Sequence, residues 1–421
     1  MISFLLTLTA LAQPVIQPPL VITLDDVVKK VSTENYTVYA NALRVYQARE
    51  AVHVARMNLL PSLKLWSLAG TTIDIVVGTA TGNPAAVASG TLGIIEDIAP
   101  FLVPANWFRV KQAKKFYVAD QEGYRALWAN ELMSAKALYY HLLLDRSLLQ
   151  HVEKSEQELS SILTIVKMRE LLGGVPQGVS REIEVRKLSL QEDQRALQVL
   201  IADEASVLAT MMALPSGTNI VPADIEFPSV ETYAGRPSQD LELKVLQAAP
   251  ELAQFNALID ASNSVRKEVK YAFLGTSSVS RGVAGGVFDS LPTQQGLGFG
   301  TGSSVRIVKA QKEILKTQRL GVEETLKRQL RTLQGKFALD LKNYESIQRR
   351  EELTQATMNQ LYERMRFGQS VETLELIEAS RNHIQAETAF LGLKFRFLEN
   401  ENKLSRMLFS DDYSKPPVVI Q

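Results

Sequence analysis

The chain has no cysteine, which excludes disulfides, thiolate chemistry and anchoring through a lipid-modified N-terminal Cys. It also lacks net charge. Lys plus Arg and Asp plus Glu number 46 each, so no overall field draws the protein toward nucleic acid or an anionic surface, and any steering is local. Histidine is scarce, and His53, His141, His151 and His383 are not spaced as metal ligands. No nucleophile elbow or Walker motif occurs, and "GLGFGTGSS" (Gly296–Ser304) lacks both GxGxxG spacing and the Lys-Ser/Thr of a phosphate loop. The expectation is a protein that is not an enzyme and uses no cofactor or metal. A helical membrane span is missing too: Ile75–Ile95 is uncharged, but "TATGNPAAVASG" fills it with Gly, Pro and Asn.

What is present is bulk and periodicity. With 421 residues and 46% hydrophobic content the chain has ample material for a core. The N-terminus, an apolar run followed by Ala10-Leu11-Ala12, reads as a signal peptide over residues 1–12, cleaved after Ala12. Two stretches, Asn106–Leu172 and Ser303–Phe367, are almost free of Gly and Pro and rich in helix formers. In the second, Leu326, Leu330, Leu333, Phe337, Leu341, Tyr344 and Ile347 recur at the three- and four-residue spacing of a coiled-coil seam. A helix of this length, roughly 100 Å at 1.5 Å per residue, exceeds any globular core.

Each long stretch ends in a Gly-containing break, "LLGGVPQGVS" (Leu171–Ser180) or "RFGQS" (Arg366–Ser370), followed by a shorter helix over 181–214 or 371–409. Two further helices are expected over 24–60 and 241–274, so that pairs of short helices stacked end to end cover each long one. The order repeats: Glu34–Ser62 corresponds to Ala248–Thr276, and "FRVKQA" at Phe108 to "VRIVKA" at Val305, an internal duplication. The organisation is thus a first repeat (13–214), a Pro- and Gly-rich connector with room for a short strand (215–240), a second repeat (241–409) and a tail (410–421).

Between each short helix and the next long one lies a segment almost without charge. Leu63 and Leu65 share one face, and Ile73, Ile75 and Val77 alternate before a turn near Gly82-Asn83-Pro84, so both segments read as membrane hairpins with a weak signal. Gly296–Ser304 then belongs to a strand where backbones crowd. Four strands leave open edges, which lipid does not tolerate, so several copies must pool them. Trp66, Phe101, Trp107, Phe108, Phe273 and Phe288 fit an interfacial girdle.

In this order and twice over, "TLDDVVKKVSTENYTV", "NLLPSLKL", "PANWFRVKQA" and "RMRFGQSVETLELIEASRNHIQAE" make the chain resemble the TolC-type outer-membrane efflux family over Leu24 to Phe409. The resemblance implies a mainly α fold with a membrane β part: a long coiled-coil α-helical barrel plus a β-barrel shared between protomers, four strands from each. It implies a homotrimer in outer-membrane lipid with its helical domain in the periplasm. The partners it implies are a periplasmic adaptor protein and an inner-membrane pump or ABC secretion transporter, with no role for nucleic acid. The function expected is a passive exit channel of a tripartite efflux or type I secretion system. The alternative is a periplasmic coiled-coil adaptor or spacer, which needs no lipid-facing hairpins. The longer "GGVPQG" turn and the very apolar first hairpin depart from the family pattern.

Two sets of site residues follow. Glu375 and Glu378 lie three apart on one helical face. Spacing alone leaves open a solvated face paired with Arg364, Arg366 or Arg381, while the family's acidic motif implies a pore constriction; Glu184 is a weaker member of the same ring. The resemblance also implies adaptor-docking tips at Gly173, Gly174, Val175, Pro176, Gln177 and Gly178 and at Arg366, Phe367, Gly368 and Gln369. Gly368 is expected to relieve the positive φ of a helix reversal.

Overall fold

Thr23 starts the first helix, α1 (Leu24–Glu34), through a reciprocal cap. Its hydroxyl donates to the Asp26 carboxylate at 2.7 Å, its amide donates to the same oxygen at 2.9 Å, and the Asp26 amide donates back to Thr23 Oγ1 at 3.2 Å. The backbone bond from Thr23 holds the Asp26 carboxyl below its usual range. This is seen in a computed structural model that describes residues 19–60, 76, 79–81, 100–174, 176–227, 240–271, 300–367, 369 and 371–417.

The remaining helices are α2 (Tyr36–Met57), α3 (Pro104–Leu171), α4 (Val179–Met211), α5 (Leu241–Ala248), α6 (Pro250–Tyr271), α7 (Thr301–Arg366) and α8 (Thr373–Leu408). The two long ones run for 68 and 66 residues without interruption. Each expected entry helix is broken once. At Asn35 the side chain accepts from the amides of Thr37 and Val38 at 2.9 and 3.0 Å, ending α1 and capping α2. At Pro250 the ring holds Ala249 extended, with ψ 110°. The helices after both breaks have the same length, 22 residues.

The chain divides into two compact units that do not follow the sequence halves, because each draws segments from both. The first unit comprises Met1–Val31, Ser134–Val230 and Asp340–Glu399. Its only described strands, β1 (Leu20–Ile22) and β2 (Ile220–Pro222), pair in parallel with Leu20 opposite Ile220. The connector therefore holds the short strand expected of it, and the partner comes from three residues that carry no strand signal of their own. Ile22 and Ile220 are buried with Val27 and Val31 of α1, Tyr139 and Leu142 of α3, Leu208 of α4 and Phe395 of α8. The Tyr139 hydroxyl donates to the Ala223 carbonyl at 2.7 Å, with the Ile22 carbonyl at 3.3 Å, and burial pushes that phenol up to about 12.

The second unit comprises Ser32–Met133, Glu231–Leu339 and Asn400–Gln421. The expected seam is realised here at Leu326, Leu330 and Leu333, which are buried against Val245, Leu252, Leu404 and Met407. A second cluster joins Phe116 of α3 to Val265 and Val269 of α6 and Val308 of α7. Trp128, fully buried, donates to Ser32 Oγ at 3.0 Å and meets the Tyr413 ring edge-on at 6.4 Å.

The expected signal peptide and nearly all of both expected hairpins lie outside the described residues. Within the first hairpin, Val76, Thr79 and Ala80 are helical and the Thr79 hydroxyl donates to the Val76 carbonyl at 3.3 Å. The alternation read through Val77 therefore does not make a strand at Val76, because local i to i+3 bonding takes the place of a ladder. Of the girdle, Trp66, Phe273 and Phe288 lie outside the described residues. Trp107 is half exposed and donates to the Phe101 carbonyl at 2.7 Å.

Tyr139→Phe removes a side-chain donor to the connector, leaving that of Arg146 to the Pro222 carbonyl in place. We expect a loss of about 1–2 kcal/mol in denaturant unfolding and faster amide exchange at Val21 and Ile22, with helical content unchanged by circular dichroism.

Candidate functional site

The two helix reversals of the first unit end on one buried cluster. Val152, Leu159, Ile162, Leu163 and Val166 of α3 and Ile183 and Leu190 of α4 pack with Met358 and Leu361 of α7 and Leu376 and Ala379 of α8. The structure thus brings together the two tips and the acidic pair that the sequence places far apart. Tyr362 of α7 fastens them: its hydroxyl donates to Glu158 of α3 at 2.7 Å, and burial with that carboxylate raises the phenol far above its ordinary value.

At the first tip, α3 ends in a Schellman motif. The Gly174 amide bonds the Arg169 carbonyl at 2.8 Å and the Gly173 amide bonds that of Glu170 at 3.2 Å, while Gly173 takes φ 72°. Pro176 and Gln177 are exposed, Val175 lies outside the described residues, and Gly178, with φ 101°, is the N-terminal cap of α4. A glycine cap has no side chain to receive the first amides of the helix. Glu170 supplies it from the other arm, accepting from the Ser180 amide at 2.9 Å and the Ser180 hydroxyl at 2.6 Å. Those bonds, the hydroxyl's first, hold the Glu170 carboxyl below its ordinary value. Sequence reading missed Glu170, whose only sign was a Ser placed just past the Gly-rich turn.

At the second tip the Gln369 amide bonds the Arg364 carbonyl at 3.0 Å, the same six-to-one bond as at Gly174. Gly368 occupies the position corresponding to Gly173, and its own φ lies outside the described residues. Arg366 closes α7, and Phe367 is 77% exposed. Leu171 and Leu172 are likewise exposed, at 87% and 85%, so the two tips present bare apolar side chains.

Glu375 and Glu378 both sit on the exposed face of the first turns of α8. Glu375 lies 4.0 Å from Arg364, each half exposed, a pairing that contributes little in water and leaves the carboxylate free to face another group. Glu378 makes no ion pair with a described residue. Glu184, the weaker ring candidate, is engaged by Lys167 at 3.3 Å.

Three of the four histidines meet glutamates of α8. His141 Nε2 is 2.9 Å from Glu399, His151 Nδ1 is 2.6 Å from Glu387, and His383 Nε2 is 3.8 Å from the same carboxylate. The hydrogen bond to Glu399 raises the His141 pKa against the opposing effect of burial. Beside it, burial pushes Glu204 of α4 up to about 7, with the Asp145 charge adding to the rise. Burial opposes ionisation of Glu387 as well, but the bond from His151 and the nearby positive charges outweigh it and lower its pKa. Among the described residues no three such groups are placed to hold a metal ion. No helix of the described residues is long and apolar enough to cross a membrane.

This set of two long helices, six described shorter ones and paired reversals is matched in solved structures. The MtrE outer membrane channel of Neisseria gonorrhoeae, in its open state, superposes with a TM-score of 0.67 over 91% of this chain and 88% of that one, at 14% identity. The chain has the fold of the outer-membrane channels. The CmeC outer membrane channel of Campylobacter jejuni matches at 0.66 over 91% of this chain and 85% of that one, at 12% identity. VceC of Vibrio cholerae, an outer membrane protein, matches at 0.66 over 91% and 95%, also at 12%. No protein-family model matches the sequence, and no curated protein matches it. At such identities the likeness is one of fold, and a fold alone does not carry a function.

Glu170→Gln should loosen the first tip. Because its folded pKa is depressed below the ordinary 4.5, the contribution of the carboxylate is present above that value and lost as pH falls through the folded pKa. The protection factor of the Ser180 amide should fall in the variant at neutral pH, and in the parent only in acid. Glu204 has the opposite sign: raised to about 7 from 4.5, it stabilises fully below 4.5 and less as pH rises through 7. Glu204→Gln should therefore gain stability relative to the parent in urea titrations between about pH 5 and pH 8.

Proposed function

We propose that this chain is the protomer of a trimeric exit channel in the outer membrane, a passive duct from periplasm to exterior. The observation that carries the reading is the channel fold over nine-tenths of the chain. The sparsely charged segments around residues 63–99, apart from the helical Val76, Thr79 and Ala80, and 275–300 supply four membrane strands, a duplicated pair of hairpins that only pooling between copies can close into a barrel.

Exposed apolar residues support a partner of the same kind. Ile307 and Ile314 of α7 lie seven apart, as do Leu200 and Val207 of α4, and Leu339 and Leu353 of α7 and Val185 and Val199 of α4 lie fourteen apart, all exposed. Heptad spacing on a bare face is what a coiled coil with another helix requires. The helical part stands in the periplasm. Its tips, with Leu171, Leu172 and Phe367 bare, receive a periplasmic adaptor that links the duct to an inner-membrane pump or secretion transporter. Three copies of Glu375 and Glu378 ring the mouth, where carboxylates favour cations.

The protein purified from the outer-membrane fraction should run as a trimer and conduct in planar bilayers. A stable monomer that does not conduct fits the adaptor or spacer reading instead. Glu375→Gln combined with Glu378→Gln should leave the trimer intact, lower cation selectivity and abolish block by multivalent cations added on the periplasmic side. Selectivity and block like the parent's would return both glutamates to a solvated outer face.

A further inference from the structure

Positive charge gathers where α3 and α7 begin and α6 ends. Lys111 and Lys114 on α3, Lys267 and Lys270 on α6, and Arg306 and Lys309 on α7 are all exposed, in a chain whose 46 positive and 46 negative residues otherwise balance. Contacts within the second unit hold these three ends together. Arg109 Nε donates to Glu268 at 2.8 Å, Lys312 donates to Asn263 at 2.9 Å, and Val265, Val269 and Val308 share one buried cluster. No carboxylate of the described residues is within ion-pair reach of Lys111, Lys114, Lys267, Lys270 or Lys309.

Two of these ammonium groups share one aromatic ring. Lys111 Nζ and Lys267 Nζ each lie 5.8 Å from the centre of the Phe108 ring, which stacks on Tyr271 at 5.7 Å and 16°. The ring attracts both cations, but the cations repel each other, and an anion seated beside them relieves that repulsion. Next in sequence to the two sparsely charged segments stands a rim of exposed apolar and aromatic groups: Phe101, Leu102, Trp107 and Tyr271. An aromatic rim backed by lysines has the chemistry of a membrane headgroup layer, with rings at the interface and ammonium groups at the phosphates.

We infer that this rim and collar form a seat for anionic phospholipids of the leaflet facing the periplasm. The inference rests on the membrane-channel reading above and adds to it the class of lipid bound. A phosphatidylglycerol headgroup brings a phosphodiester with no charge of its own to offset it. Phosphatidylethanolamine brings an ammonium that competes with the lysines. The collar therefore selects the first.

The test uses the full-length protein in a non-ionic detergent, incubated with equal amounts of phosphatidylglycerol and phosphatidylethanolamine, with the lipid retained after gel filtration measured by mass spectrometry. With several lysines each favouring an anionic surface, the parent should retain phosphatidylglycerol in at least about fivefold excess. The variant Lys111→Gln, Lys114→Gln, Lys267→Gln, Lys270→Gln should retain the two lipids nearly equally, while still inserting into liposomes with parental helical content. Equal retention by the parent, or undiminished preference in the variant, overturns the inference and leaves the channel reading standing. Displacement of the lipid by inorganic phosphate at equal concentration assigns the collar to a free anion and also overturns it. Unchanged lipid preference with lost export in the variant assigns the collar to an acidic protein partner, with the same consequence. Failure of the parent to insert into liposomes removes the channel reading and the inference with it.

Discussion

A helix of 68 residues can persist only if one face is covered along its length, and that requirement governs the rest of the molecule. The short helices exist to meet it, and they come in consecutive pieces because the cover must change partners along the way. On α7 the seam is covered at Leu326, Leu330 and Leu333 within the second unit and at Met358 and Leu361 within the first. Between these, Tyr344 lies against Phe390 and Phe397, at 6.0 and 6.4 Å. Aromatic contacts there replace the leucine seam without breaking its periodicity.

A hairpin of long helices concentrates its unsatisfied backbone groups where the chain reverses. The last carbonyls of one arm and the first amides of the next cannot be left bare. The first reversal answers with two devices, a Schellman closure at Gly173 and Gly174 and a borrowed carboxylate, Glu170, for the amide of Ser180. With the backbone satisfied, the apolar side chains around the turn are free to remain exposed. The bareness of Leu171, Leu172 and Phe367 is then available to a partner instead of being consumed by the turn.

Balanced total charge conceals a sorted distribution. Acidic residues gather on the first turns of α8, His and Glu groups meet among α3, α4 and α8, and lysines without an ion-pair partner among the described residues collect where α3 and α7 begin and α6 ends, beside the sparsely charged segments. Each location has a different dielectric. The exposed pair at Glu375 and Arg364 is weak, whereas the partly buried Glu204 responds strongly to the removal of water, so similar groups acquire different roles.

Periodicity made the long helices, their breaks and the shorter partners legible, because apolar spacing and glycine placement are local properties of the chain. The seam at Leu326, Leu330 and Leu333 and the ends of α3 and α7 stand where the sequence put them, to within two or three residues. The splitting of both entry helices, at Asn35 and at Pro250, was equally local and could have been read from their capping chemistry. The pairing of Leu20–Ile22 with Ile220–Pro222 could not, since a three-residue strand has no period of its own and takes its identity from a partner two hundred positions away. The same holds for Glu170 with Ser180, for Tyr362 with Glu158 and for the histidines with their glutamates. What the sequence by itself determined was where helices run and where they stop. Which side chains face each other across them was decided only by tertiary packing, because a helix face fixes a direction and leaves the neighbour to the fold.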